Sequence, residues 1–426
     1  MTPHSHREAL HREVHARPYE RLRPPLIMTR IGLLEADAAL TRDHLAALLR
    51  DRHLPAAPDG VNHLSLDLAG IKLRWEQHTE FHTWTFWRQL SEDTCDFSLT
   101  ALADLSPQWI AGLPGKWLIG LHVLILPRQG VARDELPMLV RRHLEEDSLV
   151  GCAAIDAAAR IFADFRLRED GFVRFVVIAD EMSSRRLGRL VQRLVEVETY
   201  RLMALLGLPV AREVIAALST AERDLATLSA NIGNAAVQDE PELLHQLSQL
   251  AAKVEGLYAR THSRFSASAA YFEVLQRRID ELREMRTANL QTVREFMDRR
   301  VLPALQTCAW AARRQQALSE RISRVSNLLR TRVEIEQQQS SAALLDAMNR
   351  RQKAQLLLQS AVEGLSVAAV TYYGSGLVGY LAKGATKAGL LAVAPEIAVA
   401  ASIPVIAVAV WLGIRRLHHR VQTVVD

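Results

Sequence analysis

Cysteine is scarce and scattered. Cys95, Cys152 and Cys308 are the only three in 426 residues, an odd number with no paired spacing, which argues against a secreted disulfide framework and for a reducing compartment. Net charge is also close to absent. With 52 Lys and Arg against 48 Asp and Glu, the balance is +4, so no general electrostatic case exists for nucleic acid and none is expected as a partner. No apolar stretch opens the chain: MTPHSHREALHREVHARPYE carries charges and histidines where a cleaved signal peptide needs an apolar core. Catalytic signatures are missing too. There is no Gly-rich phosphate loop, no G-x-S-x-G elbow and no Cys–His pairing at useful spacing, and Gly112, Gly115 and Gly120 are too loosely spaced for a dinucleotide fingerprint. An enzyme is therefore not the expectation. At 49% hydrophobic and 23% charged, the chain is neither disordered nor built mostly of membrane spans.

What is present falls into five segments: a His/Arg-rich string (1–24), an α/β domain (25–182), a helical stalk or coiled coil (183–354), a transmembrane hairpin (355–414) and a basic tail (415–426). In the second, LIMTRIGLL reads as a strand. Ala36 to Leu54 reads as a helix with Leu40, Leu45, Leu48 and Leu49 on one face, and NHLSLDLAGIKLRWEQHTEFHTWTFW alternates at period two around an Ala69–Gly70 turn. WLIGLHVLIL, CAAIDAAARIFADFRL and GFVRFVVIAD supply further strands, with ELPMLVRRHLEE as a helix among them. In the third segment, Leu247, Leu250, Val254 and Leu257 follow 3-4 spacing, as do Phe272, Leu275, Ile279 and Leu282, and Leu318, Ile322, Val325 and Leu329. Pro241 and Pro303 are the expected breaks, which predicts one helix over Leu243–Val301 of roughly 90 Å and a second from Ala304 to Leu381.

The fourth segment is apolar. Between Leu356 and Leu381 the only charged side chain is Glu363, and Ile397 to Ile414 carries none. Both runs are long enough to cross the roughly 30 Å hydrocarbon core, the second with Pro404 inside it. Arg350, Arg351 and Lys353 precede the first run and Arg415, Arg416 and Arg420 follow the second, which predicts cytoplasmic N- and C-termini, an inner-membrane location and lipid as a partner.

The order of α/β domain, long stalk, apolar span, short outer loop, second span and basic tail resembles the CorA-type two-span cation channels. LLDAMNRRQKAQLLLQSAVEGLSVAAVTYYGSGLVGY is similar to that family's stalk-to-pore helix, which ends in Tyr-Gly-Met-Asn. Tyr373 and Gly374 match, whereas Ser375 and Gly376 stand where the family has Met and Asn. The resemblance implies a homo-oligomer, a pentamer if it holds throughout, that conducts a divalent cation through a pore lined by Tyr373, Gly374, Ser375 and Gly376. REVHARPYE, LRPP and RLVQRLVEVETYRLMALLGLP resemble a bacterial family known only as a domain of unknown function. That likeness implies no activity. The alternative function is a membrane-anchored cytosolic scaffold without transport.

Several residues carry two readings each. Glu363 either repeats as an acidic ring inside the pore or lies at the cytoplasmic interface. Glu396 is either an acidic outer mouth or a carboxylate favouring a helix N-terminus. Lys383 and Lys387, in the outer loop, work against cation attraction and suit anionic headgroups. His11 and His15, four apart, would project from one helical face as zinc ligands do, yet the same string docked on the α/β domain is the plainer reading. No cofactor is fixed by the motifs beyond a divalent cation. Trp75, Phe81, Trp84, Phe86 and Trp87, with His78 and His82, read as core rather than as a stacking platform.

Overall fold

The computed structural model describes residues 4, 6–8, 11, 19–58, 60–91, 96–128, 137–234, 236, 239–287, 289–387 and 394–425, the last nine of these as backbone. Its elements in chain order begin with β1 (Leu26–Leu34), α1 (Ala38–Asp51), β2 (His63–Asp67), β3 (Ile71–Gln77), β4 (Phe81–Gln89), α2 (Pro107–Ala111) and β5 (Lys116–Pro127). They continue with α3 (Met138–His143), β6 (Val150–Ala154), β7 (Ala159–Ala163), β8 (Val173–Ala179), α4 (Ser184–Leu205) and α5 (Gly207–Asn234). The last are α6 (Glu240–Leu282), β9 (Met285–Arg286), α7 (Val293–Arg300), α8 (Leu302–Lys387) and α9 (Pro395–Val425). Contacts divide the chain into one compact unit of Met1–Ala235 with Glu242–Ser326 and another of Ala236–Pro241 with Asn327–Asp426.

The first unit is built on a mixed nine-stranded sheet in the order β2-β3-β4-β1-β5-β8-β7-β6-β9. The β5–β8 pair is parallel and the other neighbours are antiparallel. Period-two alternation sends Ile27, Ile31, Leu73, Trp75, Trp84 and Phe86 to one face, where Leu45, Leu48 and Leu49 of α1 cover them. Leu26, Met28, Leu121, Val123, Phe175 and Val177 point the other way, against Leu187, Leu190, Val191 and Leu194 of α4 and Leu275 and Ile279 of α6. A sheet buried on both faces needs helices on both: α1 lies among the strands, and α4 and α6 come from the helical region that follows β8. The five aromatic residues from Trp75 to Trp87 are all buried, Trp75, Trp84 and Phe86 in the first of these cores and Trp87 in the second.

Two expectations need correcting. Leu40 does not join the core face of α1: it is exposed, and Thr41 is buried instead, its hydroxyl donating to the Asp37 carbonyl at 3.0 Å. Asp37 caps the helix by accepting from Ala39 N at 2.7 Å, so the helix starts in a phase that sets Thr41, Leu45 and Leu48 in line. Leu243–Val301 is likewise not one helix. α6 ends at Leu282, Arg283 takes φ 51, and β9 pairs with Cys152 and Ala153 of β6. The exit is held by the Leu282 carbonyl accepting from Ile155 N at 2.9 Å and by Glu284 accepting from Arg294 N at 3.0 Å. α7 then restarts with a reciprocal capping box between Thr292 and Glu295. The expected interruptions at Pro241 and Pro303 are present: α5 ends at Asn234 before α6 starts at Glu240, and α7 ends at Arg300 before α8 starts at Leu302, so each proline sits in a first turn, where no intrahelical N–H is required.

Within the same unit, α5, α6 and the early part of α8 pack side by side. Arg314 of α8 pairs with Glu222 of α5 and donates to Ser219 Oγ at 3.0 Å, and Thr261 of α6 faces Gln315 of α8 at 3.4 Å. Leu318 and Ile322 are buried in this bundle, whereas Val325, expected beside them, is half-buried. Among the described residues, three helical segments are long and apolar enough to cross a membrane: Ser184–Asn234, Val293–Lys387 and Pro395–Arg416. The first contributes α4 to the sheet core. In Pro395–Arg416, with mean hydropathy 2.4, no residue of the apolar window is buried.

Candidate functional site

In the second unit, α8 and α9 form an antiparallel hairpin closed by glycine. A Cβ added at Gly374 would stand 3.2 Å from Ile406 Cγ2, and one at Gly379 would stand 3.0 Å from Val399 Cγ2. Small residues let apolar helices approach where no hydrophobic driving force separates protein from lipid. Ser375 is buried on this contact, and its hydroxyl donates to the Tyr372 carbonyl at 2.9 Å. Ser366, Thr371 and Ser402 do the same to Val362, Val367 and Val399. Hydroxyls satisfied by their own helix suit an apolar surround.

The residues expected to line a pore separate onto two faces. Gly374 and Ser375 face α9, in a stripe that continues through Thr371 and Val367 to Glu363. Tyr373 and Gly376 are exposed on the other side, with Tyr373 at 74% and Tyr380 at 81%. Glu363 is half-buried and accepts from Gln359 Nε2 at 3.3 Å. Counting back along α8 from Gly374 and forward along α9 from Ile406 brings Glu363 within a turn of Arg415 and Arg416, beyond the apolar stretch of α9. Arg415 lies over the Trp411 ring, 5.1 Å from its centroid. Lys383 and Lys387 are exposed at the end of α8, and Glu396 is in the first turn of α9. Of the histidine pair, His11 is exposed and His15 lies outside the described residues. Among the described residues no group of three or more His, Cys, Asp or Glu side chains is placed to hold a metal ion.

A second concentration of chemistry, unforeseen from the sequence, lies in the first unit between the sheet and α4 and α6. Arg30 donates to Glu76 at 3.4 Å and to Thr83 at 3.0 Å, all three buried. Arg74 donates to Gln192 and to Glu20, each at 3.1 Å, and Gln192 donates to Glu196 at 2.7 Å. Arg278 pairs with Glu196 and with Glu281, which also holds Arg193 at 2.9 Å. At the far end Tyr271 donates to Glu80 at 3.3 Å, Arg264 pairs with the same carboxylate at 3.1 Å, and Tyr200 stacks on Tyr271. Burial, with Glu80 beside it, pushes the Tyr271 phenol up to about 12, and burial with Glu196 nearby raises Tyr200. Each of these carboxylates is matched by a guanidinium, so the layer works as a clamp that fixes helices to strands. The signal that could have found it is the charged half of the alternation in IKLRWEQ, Lys72, Arg74 and Glu76, of which the last two are buried against α4.

The N-terminal string docks through this layer. Glu20 accepts from Ser65 at 2.8 Å as well as from Arg74, Leu22 is buried in the core, and Leu22 N donates to the Ser184 carbonyl at 3.1 Å. The Glu20 carbonyl lies so close to α4 that a Cβ at Gly188 would be 1.7 Å from it. The family described as "Protein of unknown function (DUF3422)" matches residues 2–421. The chain belongs to that family. The DUF3422 match takes in the docked string, the sheet, the long helices and the glycine-closed hairpin together. No curated protein and no solved structure matches the chain.

Proposed function

We propose that this DUF3422 chain is a homo-oligomeric protein of the bacterial inner membrane, anchored by the α8–α9 hairpin in a CorA-like arrangement, with both termini cytoplasmic. The observation that carries this reading is the uncovered surface of α8: Leu344, Leu345, Leu356, Leu357, Leu365 and Tyr373 are each more than half exposed in the single chain. A lone helix with so much apolar surface is not stable in water without partners. Lipid supplies them for the hairpin, and neighbouring copies supply them for the stalk.

In the transport form of this reading, copies of α8 surround an axis with α9 outside. The face opposite α9 then lines the path, and Ser366, Ala369, Tyr373, Gly376 and Tyr380 lie along it at 3-4 spacing. The second reading, an anchor for a cytosolic scaffold, is favoured by two placements. Glu363 is level with the arginines that follow α9, and Lys383 continues the lining face at the outer end, where a positive ring repels cations.

Particle mass in detergent is the first test, since a monomer cannot enclose a path with two helices. Divalent-cation flux into reconstituted vesicles is the second. Conduction reduced by Glu363→Gln, with magnesium selectivity raised by Gly376→Asn, supports the channel. Flux no greater than that of empty vesicles leaves the anchor. A C-terminal reporter active only in the periplasm would overturn the topology.

A further inference from the structure

The geometry points to an anion site in the sheet-bearing unit, independent of any role for the hairpin: a cavity of about 460 Å³ that takes a small multivalent phosphate group. Five guanidiniums surround it, from Arg186, Arg189, Arg193, Arg277 and Arg283. Arg186, Arg189 and Arg193 follow one another at i, i+3 and i+7 along α4, so one helical face presents all three. Arg277 comes from the last turns of α6, and Arg283 from the residue that leaves it at φ 51.

The charge in this cavity is not balanced from within. Its two acids are already engaged, Glu281 by Arg193 at 2.9 Å and by Arg278 at 3.1 Å, and Asp280 by Arg294. Arg283 is paired with Asp156. Arg186, Arg189 and Arg277 have no hydrogen-bond or ion-pair partner among the described residues. Three spare guanidiniums therefore line one solvent-open pocket, where their mutual repulsion is relieved by an anion.

The start of α4 gives an independent reason. A helix N-terminus carries partial positive charge and is ordinarily matched with acids. Here the first turn has no acid, Ser183 makes no side-chain cap bond, and Arg185, Arg186 and Arg189 crowd the first two turns. That is the wrong sign for helix stability alone and the right sign for holding an anion. Phosphate is the class that fits best, because the guanidinium fork matches two phosphate oxygens at once. A free phosphate compound and a phosphorylated lipid headgroup share this chemistry.

The test uses the full-length protein in detergent at fixed ionic strength, titrated calorimetrically with inorganic pyrophosphate and separately with micelle-dispersed phosphatidic acid. Saturable binding is expected, weakened about tenfold by Arg189→Gln and by Arg277→Gln. Arg260→Gln, an exposed arginine of α6 several turns away from the cavity, should leave it unchanged. Tighter binding of pyrophosphate assigns a soluble ligand, and tighter binding of phosphatidic acid a lipid headgroup. In the unmodified chain, the bound anion should also protect Arg186, Arg189 and Arg277 from phenylglyoxal, a readout that needs no variant to fold. Absence of binding by both ligands, equal binding in the variants, or labelling that the anion does not slow would overturn the site.

Discussion

Arg30 and Glu76 meet at 3.4 Å beneath α4, with side chains 3% and 4% exposed, from strands separated in the sheet by β4. A charge pair this deep gives up most of its hydration, so its worth shows when one partner is lost. Arg30→Met should destabilise the sheet unit by about 3–5 kcal/mol by stranding the Glu76 carboxylate. The double change to Met at both positions should recover much of that loss. Urea unfolding followed by tryptophan fluorescence checks both, and equal losses in the single and double variants would count against the pairing argument.

His122 gives the fold a pH dependence with a definite sign. Its ring sits against Thr29 Oγ1 at 2.8 Å and stacks on Phe172, and burial lowers its pKa from 6.5 to about 4. The unfolded chain then binds the proton first, so stability present above pH 6.5 is lost as pH falls toward 4, by about 3 kcal/mol from this residue. His82, also lowered to about 4 by burial and by neighbouring His44, adds in the same direction. His122→Gln should flatten the stability–pH curve between those limits, and a slope identical to the parent's would assign the dependence elsewhere.

Gly188 lies inside a helix, where alanine is ordinarily better by up to about 1 kcal/mol. Here the sign reverses, because the added Cβ would meet the Glu20 carbonyl. Gly188→Ala should destabilise by about 1–3 kcal/mol and free the docked string, seen as faster tryptic cleavage after Arg21. Unchanged cleavage with a raised melting temperature would mean that the string is not held there.

Leu318→Asp should cost at least about 3 kcal/mol, since it buries an unpaired carboxylate between α5, α6 and α8. Val325→Asp, at a half-buried position, should cost less than about 1 kcal/mol. Thermal unfolding of the two variants side by side decides it, and the reverse order would displace the bundle's end.

The strands were legible because their core sides are apolar at period two: Ile71, Leu73 and Trp75 have no other place to go. The charged sides carried no sign of their burial. Arg74 and Glu76 have the pattern of a wetted face, and only the partners brought by α4 and the Glu20 segment let them be buried. The end of α6 was hidden for a related reason. Neither proline nor glycine marks Arg283, whose left-handed backbone is imposed by contacts to Ile155 and β6 from more than a hundred residues away. The restart of α7 was written locally, as Thr292 and Glu295 three apart. The apolar runs announced the hairpin, but only the contacts of Gly374 and Gly379 fix which face of α8 meets α9. That register separates Glu363 from Tyr373 and Gly376.

β9 closes the sheet beside β6 with two residues, Met285 and Arg286, taken from deep in the helical half. In a chain emerging from the ribosome at about 5–20 residues per second, the partner of Cys152 arrives on the order of ten seconds later. Until then the β6 edge is an open template for pairing with another nascent chain. Synthesis order therefore makes the middle of the protein a client for chaperones, and a truncation that ends before Met285 fixes that vulnerable interval permanently.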